Sequence, residues 1–580
     1  MGNCEFISEL NRLRKSSSDS IDNVEKFDDF KKYMHVTRSA EEDLKNILRC
    51  VNSSNKKTLV LLCGSAGDGK SHLLSYLRNS DAEHLIDHYT VYNDATESRA
   101  PSKTAVETLN DLLADFKDFN IGNAGKNVIL AINLGVLSNL IESEYGAEFQ
   151  LLKDYVEKNN ILTTQINING YDSESYFQYV SFSDYHMFSL ASDGVHPDYI
   201  ENIMDKVFKG IEDNKFYMAY KIYCANCPLS PKCPVKKNYE YLMKKERQKF
   251  VAELLVKTTI QDKVILTTRE ILNFVYDILV APEFSYTKLQ KLLINDAVYL
   301  KTFLKQITPA LLYDSIDLTT LMNILNKYDP LCIRTEKSDV TAIAYYASTN
   351  VEKQIGEAFS DTPYQEVVCN AEMMERINGD RLLKSQIYNL LVRIEYIDLS
   401  INQTDFSDEI YKKYLSDLYL FNAGQGRKLG SLYNMVEKGV IQWCGNDVDG
   451  NLCLDDRHSG FCLYEKVEFN ANLDHMPKQS DKDRLQRFVP TIIIAFECDG
   501  NKNNIYLDID YALYTLLFKL NKGYIQTADD RNNHADFISF VSRILQTGSL
   551  ENNICVVFER GQRAVISRGM FGYKFKVVRQ

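Results

Sequence analysis

Hydrophobic and polar residues form two alternating patterns in the first third of the chain. Four short apolar runs predict β-strands, and they lie at residues 59–62, 89–94, 127–133 and 177–184. Between them, residues 72–77 and 104–116 carry apolar side chains at helical spacing. The order strand, helix, strand, helix, strand is typical of a parallel α/β sheet, whose functional site lies at the carboxyl ends of the strands.

The pattern changes twice further along the chain. Residues 246–400 are mostly helical by pattern, whereas segments beyond them alternate like strands, and residues 560–580 predict a hairpin with Gly572 near its turn. We therefore predict an α/β core followed by a helical lid region and a C-terminal α+β domain. The predicted divisions are an N-terminal helical segment (1–50), the core (51–215), a cysteine loop (216–245), the helical lid region (246–400) and the C-terminal domain (401–580).

Composition narrows the class of protein. The chain has 580 residues, of which 45% are hydrophobic and 25% charged, as is ordinary for a folded soluble protein. Its net charge of −12 argues against a surface covered with phosphate-binding Lys and Arg, but leaves room for a local basic groove or for a partner that holds nucleic acid. No apolar run approaches the roughly 18 residues of a membrane-spanning helix, so we expect no membrane partner. The 13 scattered cysteines indicate reduced, cytoplasmic usage.

The strongest motif is a glycine-rich loop between the first predicted strand and the first predicted helix. Residues 64–71 are GSAGDGKS and fit G-x-x-x-x-G-K-[ST], the P-loop of nucleoside triphosphatases. Backbone N–H groups of such a loop bind phosphates, its lysine reaches the β- and γ-phosphates, and its serine hydroxyl binds Mg²⁺. We predict an ATP and Mg²⁺ site formed by Gly64, Ser65, Ala66, Gly67, Asp68, Gly69, Lys70, Ser71 and His72. Asp68 adds negative charge near a phosphate, and its side chain could point outward.

Hydrolysis needs a carboxylate that holds Mg²⁺ and a group that orients water. Asp94, at the end of the second predicted strand, is the preferred carboxylate, with a helix cap or a turn as its alternative role. The most apolar strand, 127–133, ends in Asn133 at the position where an acid is expected. Asn133 is either a water-orienting catalytic residue or a plain strand terminus.

A further candidate catalytic residue lies at the start of a later helix. Thr267 and Glu270 have the spacing of a capping box, which predicts that a helix begins here. Lids of oligomeric ATPases often begin such a helix and direct an arginine at the γ-phosphate. Arg269 is therefore a candidate sensor of that phosphate, with an exposed first-turn residue as the alternative, and a homo-oligomer is compatible with this interpretation.

Cysteines cluster in one segment of the sequence. Cys224, Cys227 and Cys233 have the spacing C-x2-C-x5-C, with prolines between and after them. Thiolates at this spacing can share one Zn²⁺ ion or an iron–sulfur cluster. The fourth ligand would be a remote cysteine, a histidine or water, since none is nearby. The alternative is a reduced loop that proline residues stiffen.

Several segments together resemble a known family. They are FISELNRLRKSSSDSI (6–21), GSAGDGKSHLLSYL (64–77), YNDATES (92–98), ILAINLGVLSNL (129–140), VSFSDYHMFSL (180–190) and the three-cysteine loop. In these segments and in length, the chain resembles DptF, the family of DNA phosphorothioation-dependent restriction proteins. The P-loop is common to many families, so the specificity of the resemblance rests on the other segments.

The resemblance implies a component of a bacterial defence system with a P-loop NTPase fold. Members of that family act with two partner restriction proteins against DNA that lacks sulfur-modified phosphates, and modified host DNA is spared. The resemblance implies that Lys70 and Ser71 bind ATP, but it identifies no residue that cuts DNA. The acidic net charge agrees with a subunit that couples ATP to its partners, with DNA held through the complex.

Two other functions stay open at this point. The first is a P-loop signalling ATPase whose nucleotide state controls oligomerisation while hydrolysis is slow, which the amide of Asn133 in place of an acid favours. The second is a DNA-binding module in which the nucleotide only stabilises the fold.

Overall fold

The computed structural model describes residues 4–14, 29–65, 67–93, 104–162, 170–333, 336–347, 351–401, 408–446, 450–455, 460–467, 469–473, 475–480, 482–498, 501–547, 553–558, 562–569 and 572–578. The chain divides into two compact units. The first unit comprises residues 1–189 and 196–407, and the second comprises residues 190–195 and 408–580. The finer divisions predicted at residues 51, 216 and 246 stay predictions.

A parallel sheet forms the centre of the first unit. Its strands are β1 (Leu59–Cys63), β2 (Tyr89–Tyr92), β3 (Asn127–Ile132) and β4 (Phe177–Ser181). They lie in the order β2-β3-β1-β4, and every neighbouring pair is parallel. The predicted parallel α/β arrangement is therefore confirmed, with the strand that ends before Asn133 directly beside β1.

Helices cover both faces of this sheet. In the described residues up to 158 the helices are α1 (Glu5–Leu10), α2 (Asp29–Met34), α3 (Ser39–Asn52), α4 (Lys70–Asn79), α5 (Ala105–Leu112), α6 (Leu134–Glu142) and α7 (Gln150–Lys158), of which α3 to α7 pack on the sheet. Leu59 and Leu61 of β1 belong to a core with α5, α6 and α7, whereas Val60 and Leu62 belong to a core with α3 and α4. Because successive strand residues point to opposite faces, a strand covered on both faces needs the uninterrupted apolar run that β1 has.

The rest of the first unit is mostly helical, as the pattern of residues 246–400 predicts. The short strands β5 (Ser189–Ala191) and β6 (Gly194–His196) interrupt it, because their residues 190–195 belong to the second unit. The helices that follow in the first unit are α8 (Asp198–Phe208), α9 (Lys215–Ala219), α10 (Pro234–Leu242), α11 (Lys245–Asp262), α12 (Thr268–Asp277), α13 (Tyr286–Leu292), α14 (Asp296–Lys305), α15 (Thr308–Asp314), α16 (Thr320–Asn326), α17 (Glu336–Ala347), α18 (Val351–Phe359), α19 (Gln365–Val368), α20 (Ala371–Gly379) and α21 (Arg381–Ile401).

A buried arginine joins parts of this helical region. The guanidinium of Arg393 on α21 donates to both carboxylate oxygens of Asp314 at 2.6 and 2.8 Å, and to those of Asp329 at 2.5 and 3.2 Å. Since Arg393 and Asp329 are both buried, removing one partner would leave an uncompensated charge, at a cost of about 3–5 kcal/mol.

The second unit combines antiparallel sheets with helices. Its helices are α22 (Glu409–Asn422), α23 (Gly430–Cys444), α24 (Tyr511–Leu520), α25 (Ala528–Asn533) and α26 (Ala535–Leu545). Its strands are β7 (Leu452–Asp455), β8 (Phe461–Glu465), β9 (Phe469–Asn472), β10 (Arg484–Leu485), β11 (Ile492–Cys498), β12 (Asn501–Ile509), β13 (Ile554–Phe558), β14 (Arg563–Gly569) and β15 (Gly572–Val578). The larger sheets have the orders β12-β11-β9 and β15-β14-β13-β8-β7. The predicted terminal hairpin is β14 with β15, in which Gly569 lies opposite Gly572.

None of the helices in the described part of the chain is both long and apolar enough to cross a lipid bilayer.

Candidate nucleotide-binding site

The glycine-rich loop connects the carboxyl end of β1 to the first turn of α4. Gly67 and Gly69 have φ angles of +89° and +93°, in the left-handed region that favours glycine. Gly69 is also the N-cap residue of α4. The loop therefore curls back over the start of the helix, where backbone N–H groups and the helix dipole favour an anion. Ala66 lies outside the described residues.

Lys70 folds over this loop. Its ammonium group donates to the carbonyl oxygens of Gly64 and Ser65 at 2.8 and 2.7 Å. Ser71 follows in the same helical turn and lines the adjacent cavity. The two residues that the motif assigns to phosphate and Mg²⁺ thus lie next to one another at the mouth of the loop.

Asp68 does not point outward, so that expectation is wrong. Its side chain is buried, and its Oδ2 atom accepts a hydrogen bond from the backbone N–H of Ser65 at 2.6 Å. Burial raises the pKa of the Asp68 carboxyl, although the hydrogen bond from Ser65 and the charges of Lys70 and Arg38 act in the opposite direction. The carboxylate closes the loop internally, because it satisfies a donor that the curled backbone would otherwise leave inside the turn.

Arg38, which follows α2, is a cation of the site that the sequence interpretation missed. Its guanidinium donates to the carbonyl oxygen of Asp68 at 2.8 Å and to that of Tyr185 at 3.2 Å. The same group lies over the rings of Phe182 and Tyr199, at 5.2 and 5.3 Å from their centroids. Cation–π contacts and hydrogen bonds thus hold a fixed positive charge beside the glycine loop.

His72 contacts a second histidine from the segment between α2 and α3. Its Nε2 atom lies 3.2 Å from Nδ1 of His35, whose ring stacks on Tyr76 at a centroid distance of 3.6 Å. Nε2 of His35 lies 3.2 Å from the buried carboxylate of Glu41, which also pairs with Lys45 at 2.9 Å. Burial, followed by the charge of His35, lowers the pKa of His72 to about 4, so His72 is neutral near pH 7.

The first turn of α12 packs directly on the glycine loop. Thr267 caps this helix in the predicted capping box: its side chain accepts from the backbone N–H of Glu270 at 3.2 Å, and its own N–H donates to the Glu270 carboxylate at 2.8 Å. A Cβ atom placed on Gly67 would lie 3.3 Å from Oγ1 of Thr267 and 3.6 Å from Cβ of Arg269. The helix start and Arg269 therefore lie against the loop.

Two asparagines occupy the carboxyl ends of the neighbouring strands. Asn133 is the N-cap of α6, and its Oδ1 atom accepts from the N–H of Gly135 at 2.9 Å. Asn93, which follows β2, has a buried Oδ1 atom with no hydrogen-bond partner among the described residues. Both residues line the same cavity as Lys70. Asp94, the preferred carboxylate, lies outside the described residues.

These groups surround one cavity of about 260 Å³. The residues that line it from the loop, the segment before α3, the strand ends and α12 include Phe30, Lys31, Met34, His35, Val36, Arg38, Gly64, Ser65, Gly67, Asp68, Gly69, Lys70, Ser71, His72, Asn93, Asn133, Tyr199, Thr268, Arg269 and Leu272. One part is polar and cationic, whereas Phe30, Met34, Val36 and Leu272 supply apolar side chains. The cavity can hold a ligand that combines an anionic group with a flat apolar group.

The three predicted cysteines lie together elsewhere in the first unit. Cys224, Cys227 and Cys233 line a small cavity, and the remote cysteine that joins them is Cys4. We call this space the cysteine cavity. Among the described residues, no group of three or more His, Cys, Asp or Glu is arranged to hold a metal ion.

No local sequence signal indicated the residues that the sequence interpretation missed. Arg38 and His35 lie in a polar segment that no motif singles out, and Cys4 is one of several scattered cysteines. Only the packing of the N-terminal helices against the sheet and the cysteine loop brings them to these sites. No protein-family model matches the chain, and no curated protein matches it significantly.

Proposed function

We propose that the chain is an ATP-binding and ATP-hydrolysing subunit of a bacterial restriction complex that acts on DNA lacking phosphorothioate modification. The observation that carries the nucleotide part is the glycine loop with Lys70 folded over it, beside a cavity at the carboxyl edge of a parallel sheet. The restriction part rests on the segments that resemble DptF. The resemblance also supplies the expectation of two partner proteins and of DNA held through the complex, whereas the scattered cysteines supply the expectation of a cytoplasmic location.

In this proposal the triphosphate binds the backbone N–H groups of the loop. Lys70 leaves the carbonyl oxygens of Gly64 and Ser65 and binds the β- and γ-phosphates. Ser71 holds Mg²⁺. Arg38 adds positive charge beside Asp68. The adenine ring lies among Phe30, Met34 and Leu272, which supply the apolar part of the cavity.

Hydrolysis in this proposal uses the ends of β2 and β3. Strands in a sheet lie about 4.8 Å apart, so Asn133 at the end of β3 is the nearer neighbour of the loop, and the end of β2 lies one strand further away. Asn133 orients the attacking water or the γ-phosphate through its amide. Asp94, which lies outside the described residues, would supply the carboxylate that holds Mg²⁺, and Arg269 would contact the γ-phosphate. The first turn of α12 lies against Gly67, which supports this role for Arg269.

The test compares Lys70→Ala with a matched control, Lys56→Ala. The Lys56 ammonium also donates to two backbone carbonyl oxygens, those of Ser173 and Glu174, but it is not among the residues that line the cavity. We expect Lys70→Ala to weaken Mg-ATP binding about tenfold to a hundredfold, because a hydrogen bond to a charged group contributes about 1.5–3 kcal/mol. The control should bind like wild type in calorimetry. Equal affinity of the Lys70 variant and wild type would refute the nucleotide site.

The restriction part is tested separately in cells that carry the chain and its two partners. Plasmid without sulfur modification should be lost with wild type and Lys56→Ala, and should survive with Lys70→Ala. Sulfur-modified plasmid should survive with all three. If unmodified plasmid survives with wild type while purified protein binds ATP, the restriction proposal fails and the nucleotide site stands.

A signalling ATPase is the second candidate function. The observation that favours it is Asn133, which caps α6 where an acid would activate water. Slow turnover by the purified chain, with a change of oligomeric state between ADP and ATP, is the expected result for this alternative. Fast steady-state hydrolysis by the isolated chain would contradict it.

A further inference from the structure

The terminal hairpin carries a row of exposed apolar side chains on its last strand. Tyr573, Phe575 and Val577 alternate along β15 and therefore share one face of the sheet. Their side chains are 73%, 59% and 57% exposed. β15 stands at the end of the order β15-β14-β13-β8-β7, so no described strand pairs with its outer edge. The described part of the second unit leaves both this face and this edge uncovered.

The same hairpin is basic. Residues 560–580 contain six Lys or Arg and no Asp or Glu, in a chain whose net charge is −12. Lys574 and Lys576 alternate with the apolar row along β15, and Arg568 lies directly opposite Tyr573 on β14. All three cations are exposed. None of them pairs with a carboxylate among the described residues. The hairpin is therefore a local positive surface on an acidic protein.

Exposed rings interleaved with cations suit one kind of partner. Proteins bind single-stranded nucleic acid by stacking bases on aromatic side chains, while Lys and Arg contact the phosphates. Two residues along a strand span about 7 Å, so Tyr573 and Phe575 can each take one base. Pairing with the same strand of a second copy is disfavoured, because lysines on a sheet edge repel an identical edge. An anionic strand is attracted by the same lysines.

We propose that β14 and β15 form a binding surface for single-stranded nucleic acid. Bases stack on Tyr573 and Phe575, and the phosphates run along the outer edge of β15. Lys574 and Lys576 reach that edge from the other face of the strand, and Arg568 contacts the strand beside Tyr573. The surface lies in the second unit and uses no residue of the glycine loop, so the proposal does not rest on the nucleotide site. It goes beyond the proposed function, in which DNA is held through the complex.

The experiment is fluorescence anisotropy of a labelled oligothymidylate of about 20 nucleotides with the full chain, without ATP. We expect Tyr573→Ala and Phe575→Ala each to weaken binding about fivefold to a hundredfold, the range for loss of one base–aromatic stack. Phe119→Ala is the control. It removes a ring that is 71% exposed from the first unit, and it should bind like wild type. Wild-type affinity in both hairpin variants would overturn the stacking.

Salt dependence tests the cations. For single strands the logarithm of the binding constant falls with the logarithm of salt concentration, with a slope of about −0.7 per phosphate contact. Three contacts give a slope of about −2, and Lys574→Gln and Lys576→Gln should each make it shallower by about 0.7. Lys126→Gln, at an exposed position of the first unit, should keep the wild-type slope. An unchanged slope in both hairpin variants would overturn the phosphate contacts.

Other partners give different results. Equal affinity for a duplex of the same length would overturn the stacking, because paired bases cannot reach the rings, and no binding at low salt would overturn the whole proposal. A wild-type dimer that Phe575→Ala dissociates, without binding to the oligonucleotide, would show a second copy as the partner instead. If the hairpin variants do not fold, photocrosslinking of wild type to an iodouracil-containing oligonucleotide decides. We expect crosslinks at Tyr573 or Phe575, and crosslinks confined to the first unit would overturn the proposal.

Discussion

At the scale of single residues, the glycine loop holds opposite charges close to the position proposed for the phosphates. The ammonium of Lys70 lies on the carbonyl oxygens of Gly64 and Ser65, and the carboxylate of Asp68 accepts from the N–H of Ser65. The lysine attracts a phosphate, whereas the buried carboxylate repels it. We therefore expect Asp68 to stabilise the closed loop and to lower the affinity for phosphate. Substitutions can separate these two effects.

The Asp68→Asn variant should bind Mg-ATP about tenfold more tightly than wild type. The amide oxygen can still accept from Ser65, but the negative charge is gone, and two unit charges about 10 Å apart interact by about 1–2 kcal/mol at an effective dielectric constant of about 20. Asp68→Ala is the control, since it removes the acceptor as well and should weaken binding. Calorimetry measures both, and equal weakening by the two variants would show that the carboxylate charge itself is required.

His72 should make the stability of the first unit depend on pH. Burial lowers its pKa from the ordinary 6.5 to about 4 in the folded protein. The unfolded chain therefore binds more protons between these values, so the free energy of unfolding falls as pH falls through this window, by up to about 3 kcal/mol. His72→Gln should lose that dependence in urea unfolding across the window, whereas His88→Gln, at an exposed position, should keep it. An unchanged pH profile in His72→Gln would contradict this assignment.

At the scale of elements, the site depends on the contact between the glycine loop and the first turn of α12. Thr267 and Arg269 lie within van der Waals distance of a Cβ on Gly67, and the hydroxyls of Thr268 and Tyr199 lie 3.0 Å apart. The loop and the helix start are therefore one packed unit, and changes on either side should alter nucleotide binding.

Gly67→Ala should destabilise the loop and weaken Mg-ATP binding. A side chain at a left-handed position costs about 1–2 kcal/mol, and the new methyl group would also press on Thr267. Gly122→Ala is the control, because no atom lies within 4 Å of its Cβ position. Thermal unfolding and calorimetry should show a loss for the first variant alone. If Gly67→Ala bound Mg-ATP with wild-type affinity, the loop would have to move away from α12 when the nucleotide binds.

Thr267→Ala should weaken the start of α12 by about 0.5–2 kcal/mol, the usual range for loss of an N-cap side chain. Nucleotide affinity should fall as well, since Arg269 sits in the turn that this cap orders. Thr527→Ala removes an equivalent capping box, formed with Asp530, from the second unit. It should lower stability and leave the affinity unchanged. If both variants bound the nucleotide with equal affinity, the Thr267 cap would have no role in nucleotide binding.

At the scale of the whole molecule, the described residues that line the proposed nucleotide site all belong to the first unit, which also contains the cysteine cavity. The second unit has its own antiparallel sheets and its own helices. Ligand binding stabilises the part of a protein that contacts the ligand, and at a hundred times Kd the gain is about 2.7 kcal/mol.

Mg-ATP should therefore slow amide hydrogen exchange in the first unit. We expect protection in residues 30–38, 64–72 and 267–272, and unchanged exchange in β11 and β12 of the second unit. The Lys70→Ala variant serves as the control and should show no protection at the same nucleotide concentration. Protection confined to the second unit would place the nucleotide elsewhere.

The sequence by itself determined the features that depend on neighbouring residues. The apolar run of β1 predicts a strand, and Thr267 with Glu270 predicts a helix start, because each signal lies within a few residues. The glycine loop belongs to this group, since its motif supplies both the turn and the residues Lys70 and Ser71. Asp94 and Ala66 stay predictions, because they lie outside the described residues.

Only the tertiary structure decided which distant residues join these local features. Arg38 and His35 reach the loop because the N-terminal helices pack against the sheet, and Cys4 meets Cys224 across more than two hundred positions of sequence. Asp68 turns inward because the closed loop buries it against the N–H of Ser65, which spacing cannot show. Periodicity and motifs record local conformation, whereas these contacts depend on packing between elements far apart in the chain.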